Sequence, residues 1–313
     1  MKKNEFAVVL ASDNRGILPL SVTVFSLLNT AGPETFYKIY VLSDGIDGEN
    51  RASVERLAAP FDCRLEFIDV SGILEEHDFP HTEQWPVPAW GRVFIPELLK
   101  EEQGNILYLD IDVLVCRDLT ELFRTNMDGK AVGVVFENFS RPGSHFNERL
   151  EMPLTCTGYF NSGVLLMDLT KWRQQKLTQK LFQWLDKVVD TKILWGDQDA
   201  LNGVLDGEFT ELPKKYNCIV INNTVLKAAA EDVIVHYIDY VKPWHIYYYD
   251  SDEKKLYWQY VKKSRWSDLQ PVDGNTVETA LLTARLLHNR GEYQKAASYY
   301  EAVLKYLLGD KYF

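Results

Sequence analysis

The stretch Ile106-Leu107-Tyr108-Leu109-Asp110-Ile111-Asp112 decides how the chain is read. The apolar run Ile106–Leu109 predicts a buried strand, and two carboxylates follow at i and i+2 as the run ends. Period two turns both side chains to one side of a chain that stays extended. Two carboxylates facing one way repel each other unless a cation sits between them. In open α/β sheets, ligands bind beyond the carboxyl ends of strands, which is where this pair falls. A bare Asp-x-Asp is more often a solvated turn after a strand, so the neighbouring segments must decide.

Working outward, Phe6–Ala11 is a short apolar run closed by Ser12-Asp13-Asn14, and Ile17–Leu28 carries apolar residues at helical spacing. Tyr37–Leu42 and Arg64–Val70 read as further strands, with a helix over Arg51–Ala59 between them. Residues 71–90 are loop-like, and helices are expected over Trp90–Leu99 and Lys171–Val189. Ala131–Phe136 and Gly163–Met167 complete the set of buried strands. Strands alternating with helices of this length define an α/β fold with a mainly parallel sheet. Glu137–Tyr159 has no clean period and reads as a functional lid or a surface excursion.

Past Trp266 the composition changes, so the expected division is a catalytic domain over 1–266 and a small helical appendage over 267–313. Asp268–Gly274 reads as the linker, and Thr279–Tyr306 as two helices joined by Asn289-Arg290-Gly291. Their spacing resembles one tetratricopeptide helix pair, either packed on the domain or serving as a docking module over 275–313 for a protein partner.

A chain of 313 residues buries roughly three quarters of its unfolded surface and needs no disulfide to fold. With 34 Lys+Arg against 45 Asp+Glu the net charge is −11, which argues against nucleic acid as a partner. No stretch reaches the length of a membrane span, and the N-terminal apolar run is shorter than a signal peptide's core. Cys63, Cys116, Cys156 and Cys218 are scattered, as in a cytoplasmic protein with reduced thiols. Lys254 through Trp266 interleaves lysines with aromatics; it reads as a final amphipathic helix or as a peripheral contact with the inner face of a membrane.

Three segments give the acidic pair its context. Asn161-Ser162-Gly163 opens a buried strand, Asp197-Gln198-Asp199 opens the helix-like Ala200–Leu205, and His236 ends the apolar run Val233–Val235. A histidine there is either a satisfied structural group or a ligand. Two carboxylates plus an imidazole suit Mn²⁺, with Mg²⁺ next. Lys242, six residues on, could neutralise a diphosphate.

Ala11-Ser12-Asp13, Tyr108–Asp112, Phe160–Leu166, Gly196–Asn202 and His236–Trp244 lie in the order of glycosyltransferase family eight, which the chain resembles from Phe6 to about His245. The family comprises retaining, metal-dependent GT-A enzymes, including bacterial lipooligosaccharide galactosyl- and glucosyltransferases and glycogenin. The resemblance implies a GT-A type, Rossmann-like sheet, a hexose taken from a UDP-sugar, and a saccharide, glycolipid or glycoprotein acceptor, as in lipopolysaccharide biosynthesis. It implies Asp110, Asp112 and His236 as metal ligands, and Ala11 and Asp13 at uracil and ribose. Arg92, Asp110, Ile111, Asn161, Ser162 and Lys242 would contact the donor, with Asp197 and Gln198 as the catalytic pair at the sugar. Gln198 would lie closest to the anomeric carbon on the face opposite the leaving group.

Two positions depart from the family. Gly16 stands where a tyrosine commonly stacks on uracil, with Arg15 beside it to cover the ring instead; Asp239 stands where a glycine usually lets backbone approach phosphate. No carboxylate stands out as a nucleophile, so a front-face displacement is the expected route. Trp85, Trp90 and Trp195 are candidate stacking faces or ordinary packing. Two rival readings are a non-catalytic scaffold and a haloacid-dehalogenase-type phosphohydrolase. The latter normally carries its Asp-x-Asp near the N-terminus, and here Leu114 takes the place of its Thr or Val.

Overall fold

The structure, a computed structural model, describes residues 3–77, 79–80, 87–137, 146, 150, 154–155, 158–188, 193, 195–221, 231–238, 241–248, 250–264, 266–272 and 276–308. Its strands are β1 (Asn4–Asp13), β2 (Thr35–Asp44), β3 (Cys63–Asp69), β4 (Asn105–Leu109), β5 (Val113–Val115), β6 (Val132–Phe136), β7 (Phe160–Asp168), β8 (Thr210–Glu211), β9 (Cys218–Val220) and β10 (Ile234–Tyr237). Seven form one sheet in the order β3-β2-β1-β4-β7-β6-β8, and β5-β10-β9 form a second. From β3 to β4 every pairing is parallel; β7 runs antiparallel to both β4 and β6, and β8 returns parallel to β6. The mainly parallel sheet flanked by helices is the architecture anticipated from the alternating pattern.

Val8, Val9 and Leu10 in β1 are wholly buried, as expected for a central parallel strand covered on both faces. Helix Ile17–Asn29 covers one face and is apolar on nearly every side, with residues 18 to 28 all buried. The antiparallel entry of β7 places its start, Phe160–Gly163, beside the end of β4: Leu109 pairs with Val164, and Asp110 N–H donates to the Gly163 carbonyl at 2.8 Å.

Three local expectations are corrected. The helix expected over Trp90–Leu99 is mostly a 3₁₀ segment, Val87–Phe94, with a single α-turn at Ile95–Leu98. Close approach is the reason: a Cβ on Gly91 would lie 3.3 Å from Leu42 Cδ1, and Arg92 Nε bonds back to the Ala89 carbonyl at 2.8 Å. The long helix over Lys171–Val189 is broken into Leu169–Gln175 and Leu177–Leu185 by Lys176 in the left-handed region, φ 53°. The break seats Thr178 Oγ1 to accept from Trp172 Nε1 and to donate to the Val93 carbonyl, both at 3.0 Å, so tertiary bonds override the period. His236 lies inside β10 rather than at its end and pairs with Val113. Most of Glu137–Tyr159, together with Trp85, Cys156, Asp239 and Arg265, lies outside the described residues.

The chain divides into two compact units, Met1–Ile219 with Ala228–His236, and Val220–Lys227 with Tyr237–Phe313. In the second, helix Asp252–Lys263 is capped by the Ser251 side chain and turns Lys254 and Tyr257 inward. Lys254 Nζ donates to the Tyr248 carbonyl at 3.0 Å, so this lysine belongs to the interior; Lys255, Lys262 and Lys263 are the exposed cations of the helix. Helices Val277–Asn289 and Tyr293–Leu308 follow, bent together at Gly291, φ 79°, with Ala284, Leu287, Ala296 and Val303 in their seam. Among the described residues no helix is long and apolar enough to cross a membrane, and Cys63, Cys116 and Cys218 are free thiols.

Candidate active site

Asp110 follows β4 directly, and its two oxygens have different surroundings. Oδ1 accepts from Arg92 Nη2 and Tyr108 Oη, each at 2.8 Å. Oδ2 lies 3.9 Å from His236 Nε2, and Asp112 Oδ1 lies 3.1 Å from the same nitrogen. One ligand atom from each of Asp110, Asp112 and His236 falls within 4.8 Å of the other two. The three approach a space that Gly163 leaves open: a Cβ there would overlap His236 Cε1 and lie 2.5 Å from Asp110 Oδ2. The donor set, two hard oxygens and one imidazole nitrogen beside a cradle that a single methyl would fill, fits a divalent cation.

Arg92 is buried and organises the centre. Nη1 donates to the Ser162 carbonyl at 2.5 Å and lies 3.0 Å from its hydroxyl, while the guanidinium sits 4.3 Å above the Tyr108 ring. Arg92 Nε stands 3.0 Å from Asp197 Oδ2. Burial pushes the Asp197 carboxyl up to about 6, with Arg92 pulling it down and Asp110 adding to the rise. Burial also drives the Tyr108 phenol well above its ordinary range, so it stays a donor to Asp110.

Asp197 and Gln198 open helix Asp197–Leu205, whose start depends on Gly196 at φ 54°, a conformation that glycine adopts without strain. The Asn202 side chain ties this helix to β7, accepting from Phe160 N–H at 2.9 Å and donating to the carbonyls of Phe160 and Gln198. Asp199 is structural, accepting from Tyr159 Oη at 2.8 Å and Trp195 N–H at 3.0 Å. Gln198 Oε1 accepts from Ser162 N–H and Asn161 Nδ2, both at 3.0 Å, and its Nε2 donates to Glu137 at 3.2 Å. A register shift between Gly133 and Val135 lets β6 place Val135 opposite Asn161, the kind of irregularity that re-aims side chains beside a site.

Thus Arg92, Asp110, Ile111, Asp112, Asn161, Ser162, Asp197, Gln198 and His236 gather around the end of β4 in the first unit. Asp13 ends β1 with Ala11 two residues before it, four and two positions beyond Val9, the last residue of β1 to pair with β4. Asp13 Oδ1 caps the following turn through Arg15 and Gly16 N–H, and Oδ2 holds the Arg15 fork at 2.7 and 2.9 Å. Gly16 faces protein: a Cβ would overlap Ser12 Oγ and lie 2.6 Å from Ile111 Cδ1, so nothing in place of tyrosine points outward here. Lys242 belongs to the second unit, where its Nζ donates to the Tyr237 carbonyl at 2.7 Å. Trp90 is packing, stacked on Phe79 at 4.7 Å with its Nε1 on the Pro80 carbonyl.

Sequence reasoning missed two residues. Asn217 bridges Asn161 Oδ1 at 2.9 Å and His236 Nδ1 at 3.0 Å, and Glu137 holds the Gln198 amide. Asn217 follows the short turn Lys214–Tyr216, and no period or motif marks it. Glu137 carries no signal beyond its place at the start of the non-periodic segment Glu137–Tyr159.

The seven-stranded, mainly parallel sheet flanked by helices has the GT-A type of fold. The sequence profile of glycosyl transferase family 8 matches residues 7–247, and the chain belongs to that family. It is 30% identical over 292 residues to General stress protein A of Bacillus subtilis (strain 168), covering 86% of this chain and 98% of that protein. It is 27% identical to the lipopolysaccharide 1,3-galactosyltransferase of Salmonella typhimurium, covering 96% and 91%. In fold it is similar to the galactosyltransferase LgtC, solved with donor and acceptor sugar analogues. That similarity has a TM-score of 0.71 at 24% identity, over 83% of this chain and 96% of the other.

Proposed function

We propose that this glycosyltransferase is a retaining hexosyltransferase that moves glucose or galactose from a UDP-sugar to a saccharide, glycolipid or glycoprotein acceptor, with Mn²⁺ or Mg²⁺ as cofactor. The observation that carries this reading is the convergence of Asp110, Asp112 and His236 beside Arg92, Asn161, Asp197 and Gln198. Lipopolysaccharide glycosyltransferases of Salmonella and Escherichia coli among the relatives support a saccharide or glycolipid acceptor. The proposed organisation is a catalytic domain over 1–266 with a helical appendage over 267–313.

Asp110, Asp112 and His236 would hold the cation, which when bound supplies positive charge to the leaving diphosphate. Ala11 and Asp13 hold the nucleoside, and Ile111 and Ser162 contribute donor contacts. Arg92 orients Asp110 and keeps charge beside Asp197, which with Asn161 lines the sugar. The Gln198 amide, its oxygen held by Ser162 N–H and Asn161 Nδ2, lines the sugar on the face opposite the leaving group, where its dipole bears on positive charge developing at C1. The C1–O bond to the phosphate breaks, the acceptor oxygen bonds to C1 on the same face, and its proton passes to the departing phosphate oxygen.

Calorimetry with UDP-glucose, UDP-galactose, UDP-N-acetylglucosamine and GDP-mannose, with Mn²⁺ and then with EDTA, tests this reading. The expected result is metal-dependent binding of a UDP-hexose that disappears in Asp112→Ala; binding of no nucleotide sugar overturns it in favour of a scaffold.

A further inference from the structure

We propose that Asn217 is a positioning residue that fixes which nitrogen of His236 faces Asp110 and Asp112; the inference rests on the metal reading of that site. Two backbone N–H groups, which can only donate, set the orientation of every amide in the network. Gly163 N–H meets Asn161 at 3.0 Å, so the receiving atom is Oδ1. Ser162 N–H meets Gln198 at 3.0 Å, so that atom is Oε1, and Asn161 Nδ2 donates to it without conflict. The Asn217 atom 2.9 Å from Asn161 Oδ1 must then be the donor, Nδ2. That leaves Asn217 Oδ1 facing His236 Nδ1 at 3.0 Å, and an oxygen acceptor there requires Nδ1 to carry hydrogen.

With Nδ1 committed to Asn217 Oδ1, Nε2 is the nitrogen left to face Asp112 Oδ1, at 3.1 Å, and the one that could take a cation. Histidine ligands characteristically use their second nitrogen in this way, and loss of such a partner costs about 10–100-fold in metal affinity. The orientation is therefore traceable from β7 through Asn161 and Asn217 to His236, without assuming how any amide is turned.

The test is ¹⁵N-histidine NMR of the full chain, metal-free and with saturating Mg²⁺, together with Mn²⁺ titration followed by electron paramagnetic resonance. The His236 signal is identified by its loss in His236→Asn. Hydrogen on Nδ1 is expected in the wild type. Asn217→Leu, which removes both polar atoms, is expected to bind Mn²⁺ about 10–100-fold more weakly. Asn217→Asp keeps an acceptor for Nδ1–H while losing the donor to Asn161 Oδ1, and is expected to bind Mn²⁺ more tightly than Asn217→Leu. An Nδ1 without hydrogen, or wild-type Mn²⁺ affinity in Asn217→Leu, overturns the assignment. Should Asn217→Leu fail to fold, the wild-type spectrum alone decides. A wild type that binds neither Mn²⁺ nor Mg²⁺ overturns the metal reading instead, and the metal-free spectrum still decides for Asn217.

Discussion

Arg92 and Asp197 face each other at 3.0 Å with side chains only 3% exposed, yet the Nε hydrogen that could join them is given to the Ala89 carbonyl. Charge without an aligned hydrogen bond holds the pair, and the remaining nitrogens of the fork serve Asp110 and Ser162. Replacing one partner of such a buried pair leaves its counter-charges without compensation, at about 3–5 kcal/mol. Arg92→Leu is therefore expected to lower stability by about that amount in urea unfolding. A change under about 1 kcal/mol would show that the guanidinium is not what compensates Asp110 and Asp197.

Gly163→Ala tests the cradle. The added methyl would overlap His236 Cε1 and crowd Asp110 Oδ2, so the imidazole or the carboxylate must turn away. Since the substitution adds one methyl to a strand, the fold is expected to persist while Mn²⁺ affinity falls at least about tenfold. Unchanged affinity would place the cation elsewhere.

The helix that carries Asp197 and Gln198 leans on Trp184 at Gly203, where a Cβ would come within 2.6 Å of Cζ2 of that indole. Gly203→Ala overpacks a rigid ring at about 1–3 kcal/mol. We expect a lower unfolding midpoint and, in the folded fraction, weaker donor binding because Gln198 is displaced. Wild-type stability would mean that the indole moves freely.

In the second unit, His245 Nδ1 accepts from Lys242 N–H at 3.0 Å, and burial with Lys242 and Lys254 nearby pushes its pKa down to about 4. Between about 6.5 and 4 the unfolded chain binds a proton that the folded chain refuses. The contribution of His245 is thus complete above about 6.5 and is lost as pH falls towards 4. Urea unfolding at pH 7.5 and 5 is expected to show a larger loss for the wild type than for His245→Asn; equal losses would assign the dependence to other groups.

Much of this protein was legible in the order of its residues. Continuous apolar runs such as Val8–Leu10 and Leu107–Leu109 announced strands buried on both faces, and Asp110-Ile111-Asp112 at a strand end announced where a cation and ligand could bind. These signals are local: period, run length and the chemistry of neighbours suffice to read them. The break at Lys176 and the 3₁₀ turn at Gly91 escaped because each is settled by a partner far along the chain, Val93 for Thr178 and Leu42 for Gly91.

The same division holds inside the site. Sequence alone placed His236 and Asn161 among the polar groups at strand ends, but a histidine's identity does not say which nitrogen it offers. That was decided by Asn217, 19 residues away, and by an amide chain that begins at the Gly163 backbone. Hydrogen-bond direction is fixed by which groups can only donate, and those donors meet their acceptors only once β7, the Asp197–Leu205 helix and the turn before β9 have packed together.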